Sequence, residues 1–247
     1  MRFKGQTAIV TGGGRDIGAA CAIKLASEGA NVAINYYASA EGAEKVVAHI
    51  KEQGGNAIAV QGDLMDQEQV TKLVQTTVDT FGGLNVLVNN SGGLVARKSF
   101  REMDLAHWTK VMDLNLTSIF MMVKASLEHM EKGTIVNLAS QAGRDGGGPG
   151  SGAYATSKGA VMTMTRSLAK ELGPDIRVNA LCPGMVDTDF HNIFTPDQAR
   201  RGYEANAPVR RQGTPEDIAN AVAFLASEDS AFMTGVNVDI NGGMLFS

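Results

Sequence analysis

Ala8-Ile9-Val10-Thr11-Gly12-Gly13-Gly14-Arg15-Asp16-Ile17-Gly18-Ala19-Ala20-Cys21 reads as an apolar run, a glycine turn and the start of an alanine-rich helical segment. A short β-branched run broken at once by glycines predicts a strand ending in a tight turn. A helix N-terminus placed there offers free N–H groups and a positive dipole to an anion, and a pyrophosphate is the anion that suits the end of a first strand. The spacing departs from strict Gly-x-Gly-x-x-Gly, and a glycine turn also serves as a plain connector. The loop takes its meaning from the rest of the chain.

Outward from this stretch, short β-branched runs alternate with longer segments of helical period. The pattern predicts strands over 6–11, 31–36, 56–61, 84–89, 133–139, 175–181 and 236–240, and helices over 17–28, 40–53, 67–81, 104–130, 152–172 and 215–227. Such alternation builds βαβ units with right-handed crossovers. The expected fold class is α/β: a Rossmann-like, doubly wound, seven-stranded parallel sheet in a three-layer sandwich. Residues 1–247, with 44% apolar content, suffice for one domain around one sizeable core. Two stretches stand outside the alternation: the glycine-dense loop 143–150, and 186–215, which reads as a substrate lid.

The formal net charge of −4 is spread without long like-charge runs. Such a surface has no basic footprint for nucleic acid or an anionic membrane, so the expected partner is a small molecule. The two cysteines, Cys21 and Cys182, lie far apart and have no metal-ligand or disulfide-framework spacing. No metal is expected, and a reducing cytosol fits best. The N-terminus runs straight into a strand, without a signal peptide or a bilayer-length apolar stretch, which points to a soluble cytoplasmic protein.

The end of the second strand, Ala33-Ile34-Asn35-Tyr36-Tyr37, bears on coenzyme choice. A carboxylate there holds a ribose 2′-hydroxyl and repels a 2′-phosphate, whereas a basic group favours the phosphate. No Asp or Glu is present. Arg15 is placed to reach a 2′-phosphate and Ser39 to add a hydroxyl, so NADPH is favoured and NADH stays possible; the competing reading leaves Arg15 as a solvated loop residue. Gly62-Asp63-Leu64 and Asn89-Asn90-Ser91-Gly92-Gly93 fall at carboxyl ends of the third and fourth strands, where open α/β sheets bind ligands. Asp63 either accepts from an adenine amino group or caps the next helix; the asparagines either face a ligand or stabilise turns.

Tyr154 and Lys158 are four apart within the predicted helix 152–172, so both project from one face. A tyrosine of ordinary pKa near 10 is a poor acid at neutral pH, and an adjacent ammonium lowers it. Ser140, just after Ile135-Val136-Asn137-Leu138-Ala139, lies near the same edge and can donate to a carbonyl oxygen as charge develops. An isolated Tyr-x-x-x-Lys is ordinarily a packed ring beside a solvated amine; here it is one member of a set. Thr-Gly-x-x-x-x-Ile-Gly, Asn-Asn-Ser-Gly, Asn115 within Met-Asp-Leu-Asn-Leu, Ser140, Tyr-Ala-Thr-Ser-Lys and Cys-Pro-Gly occur in order.

This ordered set, which runs through to Asp239-Ile240-Asn241-Gly242-Gly243, resembles the short-chain dehydrogenase/reductase family. The resemblance implies a bound nicotinamide coenzyme and a homotetramer. It also implies roles: Tyr154 as acid/base, Lys158 lowering its pKa and holding the nicotinamide ribose, Ser140 positioning the carbonyl, and Asn115 supporting a proton-relay water. Coenzyme contacts are expected from Gly12, Gly14, Arg15, Ile17, Gly18, Asn35, Tyr36, Ser39, Asp63, Leu64, Asn90, Ser91, Gly92, Tyr154, Lys158, Pro183, Gly184 and Val186. Two departures stand out. Asp16 takes a place where the family commonly has glycine, which sets a carboxylate near the pyrophosphate. Tyr154 follows Ser140 by fourteen positions, one more than usual, and an insertion in the glycine loop absorbs this.

For the substrate, the run from Tyr154 to Gly184 is similar to 3-oxoacyl carrier-protein reductases. The segments 90–98, 146–150 and 186–191 are similar instead to reductases of 4-deoxy-L-erythro-5-hexoseulose uronate, a carboxylate-bearing keto sugar acid reduced to 2-keto-3-deoxy-D-gluconate in alginate breakdown. Arg97, Lys98, Arg144, His191 and the amides of Gly146, Gly147 and Gly148 are the candidate partners for such an acid. Arg97 and Lys98 also fit a solvent-facing loop, and His191 a hydrogen bond within the lid. A long acyl chain wants an apolar lid, which Met185, Phe190, Ile193 and Phe194 can supply. An NADP(H)-binding sensor or scaffold is the non-enzyme alternative, with the intact Ser140, Tyr154, Lys158 and Asn115 against it. A nucleotide-sugar epimerase or dehydratase would need a larger C-terminal substrate domain.

Overall fold

The computed structural model describes residues 1–246. Seven strands form one sheet: β1 (Thr7–Val10), β2 (Asn31–Tyr36), β3 (Asn56–Gln61), β4 (Val86–Asn89), β5 (Gly133–Leu138), β6 (Ile176–Pro183) and β7 (Asn237–Ile240). Their order is β3-β2-β1-β4-β5-β6-β7 and every pairing is parallel. The order reverses between β1 and β4, which opens a crevice at their carboxyl ends.

The helices are α1 (Asp16–Ser27), α2 (Ala40–Glu52), α3 (Gln67–Phe81), α4 (Leu105–Met112), α5 (Ser118–Leu127), α6 (Ala142–Asp145), α7 (Gly152–Leu172), α8 (Asp189–Phe194), α9 (Asp197–Asn206) and α10 (Pro215–Ala226). Local chemistry explains several boundaries. Asp66 caps α3 by accepting from the amides of Glu68 and Gln69, and Gly82 ends it at φ +85°. Thr214 and Asp217 form a capping box at α10, with Pro215 inside the first turn.

Alternation along the strands divides the core. Ala8 and Val10 face one layer with Cys21, Leu25, Val46, Ile218 and Val222 of α1, α2 and α10. Ile9 faces the other with Leu73, Met122, Val161 and Met162 of α3, α5 and α7. A β1 strand buried on both faces is what a continuous apolar run in a parallel sheet should give.

The element types expected from the sequence are present, with three differences. Residues 104–130 are not one helix: α4 and α5 are separated by a π turn, Asp113–Thr117. The sixth strand extends beyond 181 to Pro183, because a proline at a strand's last position costs the ladder little. Within 186–215 lie α8 and α9, and the segment is pinched at its base by a parallel bridge between Val186 and Gly213. Among the described residues, no helix is long and apolar enough to cross a membrane.

Candidate active site

The glycine turn after β1 is packed so tightly that side chains would not fit. A Cβ on Gly18 would lie 2.2 Å from the Gly12 carbonyl oxygen, and one on Gly12, at φ +62°, would lie 2.9 Å from Ser91 Oγ. Arg15 precedes α1 without providing a side-chain cap, which leaves first-turn N–H groups of α1 open to an anion. These are the features a dinucleotide pyrophosphate requires, and the residues present fit it.

Several expected coenzyme residues turn out to hold this loop. Asn35 is buried; its Oδ1 accepts from the Gly12 amide at 3.4 Å and its Nδ2 donates to the Gly62 carbonyl at 3.0 Å. Its side chain is thus committed to the protein, which corrects its reading as a ligand group. Asn90 Nδ2 donates to the carbonyls of Thr11 and Gly12. Thr11, not singled out as a contact residue, accepts through Oγ1 from the amides of Asn90 and Ser91, both at 3.0 Å. The available signal was a hydroxyl at the very end of a strand. Gly14 packs against Ser39, while Ile17 and the buried Leu64 and Val186 face the cores with their side chains. Tyr36 ends β2 and its carbonyl accepts from the Gly62 amide. Asp63 Oδ1 accepts from the Met65 amide at 2.9 Å, a turn ahead of α3, so the helix cap itself falls to Asp66.

The second half of the crevice carries the candidate reacting groups. Ser140 stands beside the Tyr154 phenol, and its Oγ accepts from the Ala142 amide at 3.1 Å. Burial raises the Tyr154 pKa above its ordinary value, against a downward pull from Ser140. Lys158 Nζ donates to the Leu138 carbonyl at 2.6 Å and lies over the Tyr154 ring, 5.8 Å from its centroid. The ammonium is drawn to the end of β5, and burial is the largest influence on the phenol. Lys158 is 3% exposed, and burial pushes its own pKa down to about 8.

Asn115 lies in the π turn, wholly buried. Its Oδ1 accepts from the Gly93 amide at 2.9 Å, while Nδ2 donates to the carbonyls of Gly93 and Val111, each at 2.8 Å. It clamps the loop after β4. A Cβ on Gly92 would come 2.6 Å from Asn115 Oδ1 and 3.2 Å from Lys158 Nζ, so these groups share one small space. Gly184 likewise has no room for a Cβ, which would strike Tyr203 Oη at 2.3 Å, and its amide and the Pro183 carbonyl bond to neighbouring backbone.

The three candidate substrate segments converge. Arg97 Nε donates to the Phe194 carbonyl at 2.9 Å and Nη1 to the Pro149 carbonyl at 2.8 Å, and the Lys98 amide donates to the Gly150 carbonyl. Phe190 packs on Tyr154, with ring centroids 5.7 Å apart, and touches His191 and Phe194. Other cations expected to face substrate are engaged by protein groups. Arg144 Nε pairs with Asp239 at 2.7 Å and Nη2 donates to the Asn237 carbonyl at 2.6 Å, so it ties α6 to β7. Lys98 pairs with Asp104 before α4. His191 Nδ1 bonds Thr195 Oγ1 at 2.8 Å, and burial with Arg200 and Arg97 nearby lowers its pKa to about 4, which leaves it neutral at pH 7. The amides of Gly146 and Gly147 close local turns onto Ala142 and Asp145, and the Gly148 carbonyl accepts from Ser151.

Arg15, its side chain 60% exposed, and Asp16 both reach the start of α8. Arg15 Nη1 lies 3.3 Å from Asp189 Oδ2, and Asp16 Oδ1 accepts from the Asp189 amide at 3.3 Å. Burial raises the Asp16 pKa, with the bond from the Asp189 amide pulling it down.

A family model described as enoyl-(acyl carrier protein) reductase matches residues 12–245. A 3-oxoacyl-[acyl-carrier-protein] reductase of Staphylococcus aureus is 38% identical over 97% of this chain and 98% of its own. Glucose 1-dehydrogenase 2 of Bacillus subtilis is 37% identical over 97% and 95%. Among solved structures, a short-chain dehydrogenase/reductase from Serratia marcescens superposes with a TM-score of 0.93 at 34% identity, covering 98% of this chain and 99% of that one. A metagenomic blue fluorescent protein in complex with NADPH gives 0.92 at 32%, covering 100% of both chains. A 7α-hydroxysteroid dehydrogenase complexed with NADH and a 7-oxo bile acid gives 0.92 at 33%, covering 98% and 95%. With the reversed strand order, the glycine turn and the Ser140, Tyr154 and Lys158 cluster in place, the chain belongs to the short-chain dehydrogenase/reductase family, NAD(P)-dependent oxidoreductases acting on CH–OH and carbonyl groups.

Proposed function

We propose that this enzyme uses NADPH to reduce a small keto sugar acid, 4-deoxy-L-erythro-5-hexoseulose uronate, to 2-keto-3-deoxy-D-gluconate. The observation that carries this reading is Arg97. It joins the 93–98 loop, the glycine loop and the lid at two backbone carbonyls, next to the aromatic cluster over Tyr154. Its Nη2 has no hydrogen bond among the described residues and is the group we assign to the substrate carboxylate.

Gly12, Gly14, Gly18 and the first-turn amides of α1 would hold the coenzyme pyrophosphate, Arg15 with Ser39 a 2′-phosphate, Asp63 and Leu64 the adenine side, Asn90, Ser91, Gly92 and Lys158 the nicotinamide ribose, and Pro183, Gly184 and Val186 the nicotinamide. When bound, that group supplies the hydride. Ser140 orients the carbonyl oxygen by donating to it, and Tyr154 Oη passes its proton to that oxygen as negative charge builds. A raised phenol pKa keeps the proton in place at neutral pH until the oxygen needs it. Asn115 holds Gly93 and keeps the loop from shifting toward Lys158. Phe190 excludes water from the phenol.

A second reading, reduction of a 3-oxoacyl thioester, draws support from the aromatic lid residues Phe190 and Phe194 and from the Staphylococcus relative. NADPH oxidation measured with the keto-uronate against a short 3-oxoacyl thioester separates the two. Activity on the thioester alone overturns the first. Tyr154→Phe should lower kcat by roughly a hundredfold or more, and near-normal reduction refutes the proton-donor role. Coenzyme binding without turnover on any carbonyl would favour a sensor.

We assign the protein to the cytosol, where buried free Cys21 and Cys182 stay reduced, and to a homotetramer. The outer face of α5 and α7 supports self-association: Phe120, Val123, Leu127, Met164 and Leu168 line a groove there, with Phe120 54% exposed. Light scattering of the purified protein checks the assembly.

A further inference from the structure

We propose that Asp16 is a positioning residue for the substrate lid: its carboxylate, with Arg15 beside it, holds the first residue of α8 from across the coenzyme crevice. The inference rests on reading 186–215 as the lid of the active site.

Asp16 has φ +49°, the left-handed region, where a side chain is strained and only a few residue types are tolerated. Such a conformation persists where the surroundings over-determine it. The surroundings here are the lid. Thr188 precedes α8 and has the hydroxyl that ordinarily caps a helix, yet Thr188 Oγ1 donates to the Val186 carbonyl at 3.1 Å and makes no cap. The Asp189 amide, which has no partner within its own helix, donates instead to Asp16 Oδ1 at 3.3 Å. Two carboxylates brought this close would repel. Arg15 offsets that, with Nη1 3.3 Å from Asp189 Oδ2 and Nε 3.9 Å from Asp16 Oδ2.

The other end of α8 is held too, since Arg97 donates to the carbonyl of its last residue, Phe194. Between the two ends, Phe190 lies on Tyr154. The helix is a strap tied at one end to the coenzyme loop and at the other to the substrate loops. A disturbance at Asp16 is felt at the ring that covers the proton donor.

Amide hydrogen exchange of 188–195 in the coenzyme-free protein tests this without any turnover. Asp16→Gly suits the backbone conformation, so its melting temperature should not fall, but it lacks the acceptor. Asp16→Asn keeps an oxygen acceptor. Exchange over 189–194 should rise about fivefold in Asp16→Gly, the scale of one ordinary hydrogen bond, and stay near wild type in Asp16→Asn. The KM for the carbonyl substrate should rise in Asp16→Gly with a smaller change in the NADPH dissociation constant, read by nucleotide fluorescence. Unchanged exchange in Asp16→Gly, or equal acceleration in both variants, overturns the proposal. Altered exchange without activity on the keto-uronate would leave the lid contact standing and count against the substrate assignment alone.

Discussion

Replacing Arg144 by methionine distinguishes a structural residue from a substrate-binding one. The guanidinium is held by Asp239 at 2.7 Å and by the Asn237 carbonyl at 2.6 Å, and the two paired side chains are 17% and 16% exposed. Removing one partner of a buried ion pair costs roughly 3–5 kcal/mol. Partial exposure and the aliphatic stem that methionine retains reduce this to about 2–3 kcal/mol. In a chain of this size each kcal/mol moves the melting temperature by roughly 2–4 °C, so Arg144→Met should melt about 5–10 °C lower. Urea unfolding gives the free energy directly, and KM for the carbonyl is measured well below the melt. The double variant Arg144→Met with Asp239→Leu should recover part of the loss, since it removes both charges together. A variant with unchanged stability and a KM raised about tenfold would show the guanidinium facing substrate, and the reasoning from its ion pair would fail.

Three further outcomes follow from the site. Burial holds the Lys158 ammonium at about 8, whereas an unfolded lysine ionises near 10.4, so between those pH values the unfolded chain binds a proton that the folded one lacks and stability from this group rises with pH. The gap in unfolding free energy from urea titration between wild type and Lys158→Met should therefore shift in favour of wild type, by up to about 3 kcal/mol, on going from about pH 7 to about pH 10; a constant gap contradicts it. Phe190→Ala opens the phenol to water and relieves the burial that raises its pKa, so the high-pH limb of the kcat/KM profile should move to lower pH. An unmoved limb would mean that Phe190 does not shield Tyr154. Arg97→Ala releases the Phe194 and Pro149 carbonyls and should raise the carbonyl KM about tenfold while leaving the coenzyme KM unchanged; an equal rise in both would contradict a role confined to substrate.

What could be read from the chain alone was what local periodicity and spacing encode. Strands such as Ile9 and its neighbours announce themselves because burial on both faces leaves an uninterrupted apolar run. Tyr154 and Lys158 share a helix face because they are four apart, and that holds whatever surrounds them. Where each side chain ends is another matter. Lys158 reaches the Leu138 carbonyl, Asn35 the glycine turn, and Arg144 a carboxylate 95 positions away, contacts set by tertiary packing that leave no trace in nearby sequence. The π turn escaped for the opposite reason: an apolar pattern compatible with α4 and α5 looks continuous across it. The Asp16 position was visible as unusual, but its partner, Asp189, could be named only once α8 was placed.

The π turn at Asp113–Thr117 also carries a lesson about counting. An α-helix turns each successive side chain by roughly 100°, so one extra residue per turn leaves everything downstream out of rotational phase with everything upstream. Ile119 and Met122 stay in the core and Val111 stays buried, while Asn115 faces Gly93, because the wide turn absorbs that offset. Deleting any one residue between 113 and 117 would let an unbroken helix form with all its backbone bonds satisfied. The α5 stripe would keep its face to the core, and Asn115 would lose the wide turn that aims it at Gly93. The position of this asparagine is thus stored as a residue tally: substitutions nearby can leave it intact, whereas a one-codon deletion removes the wide turn that aims it.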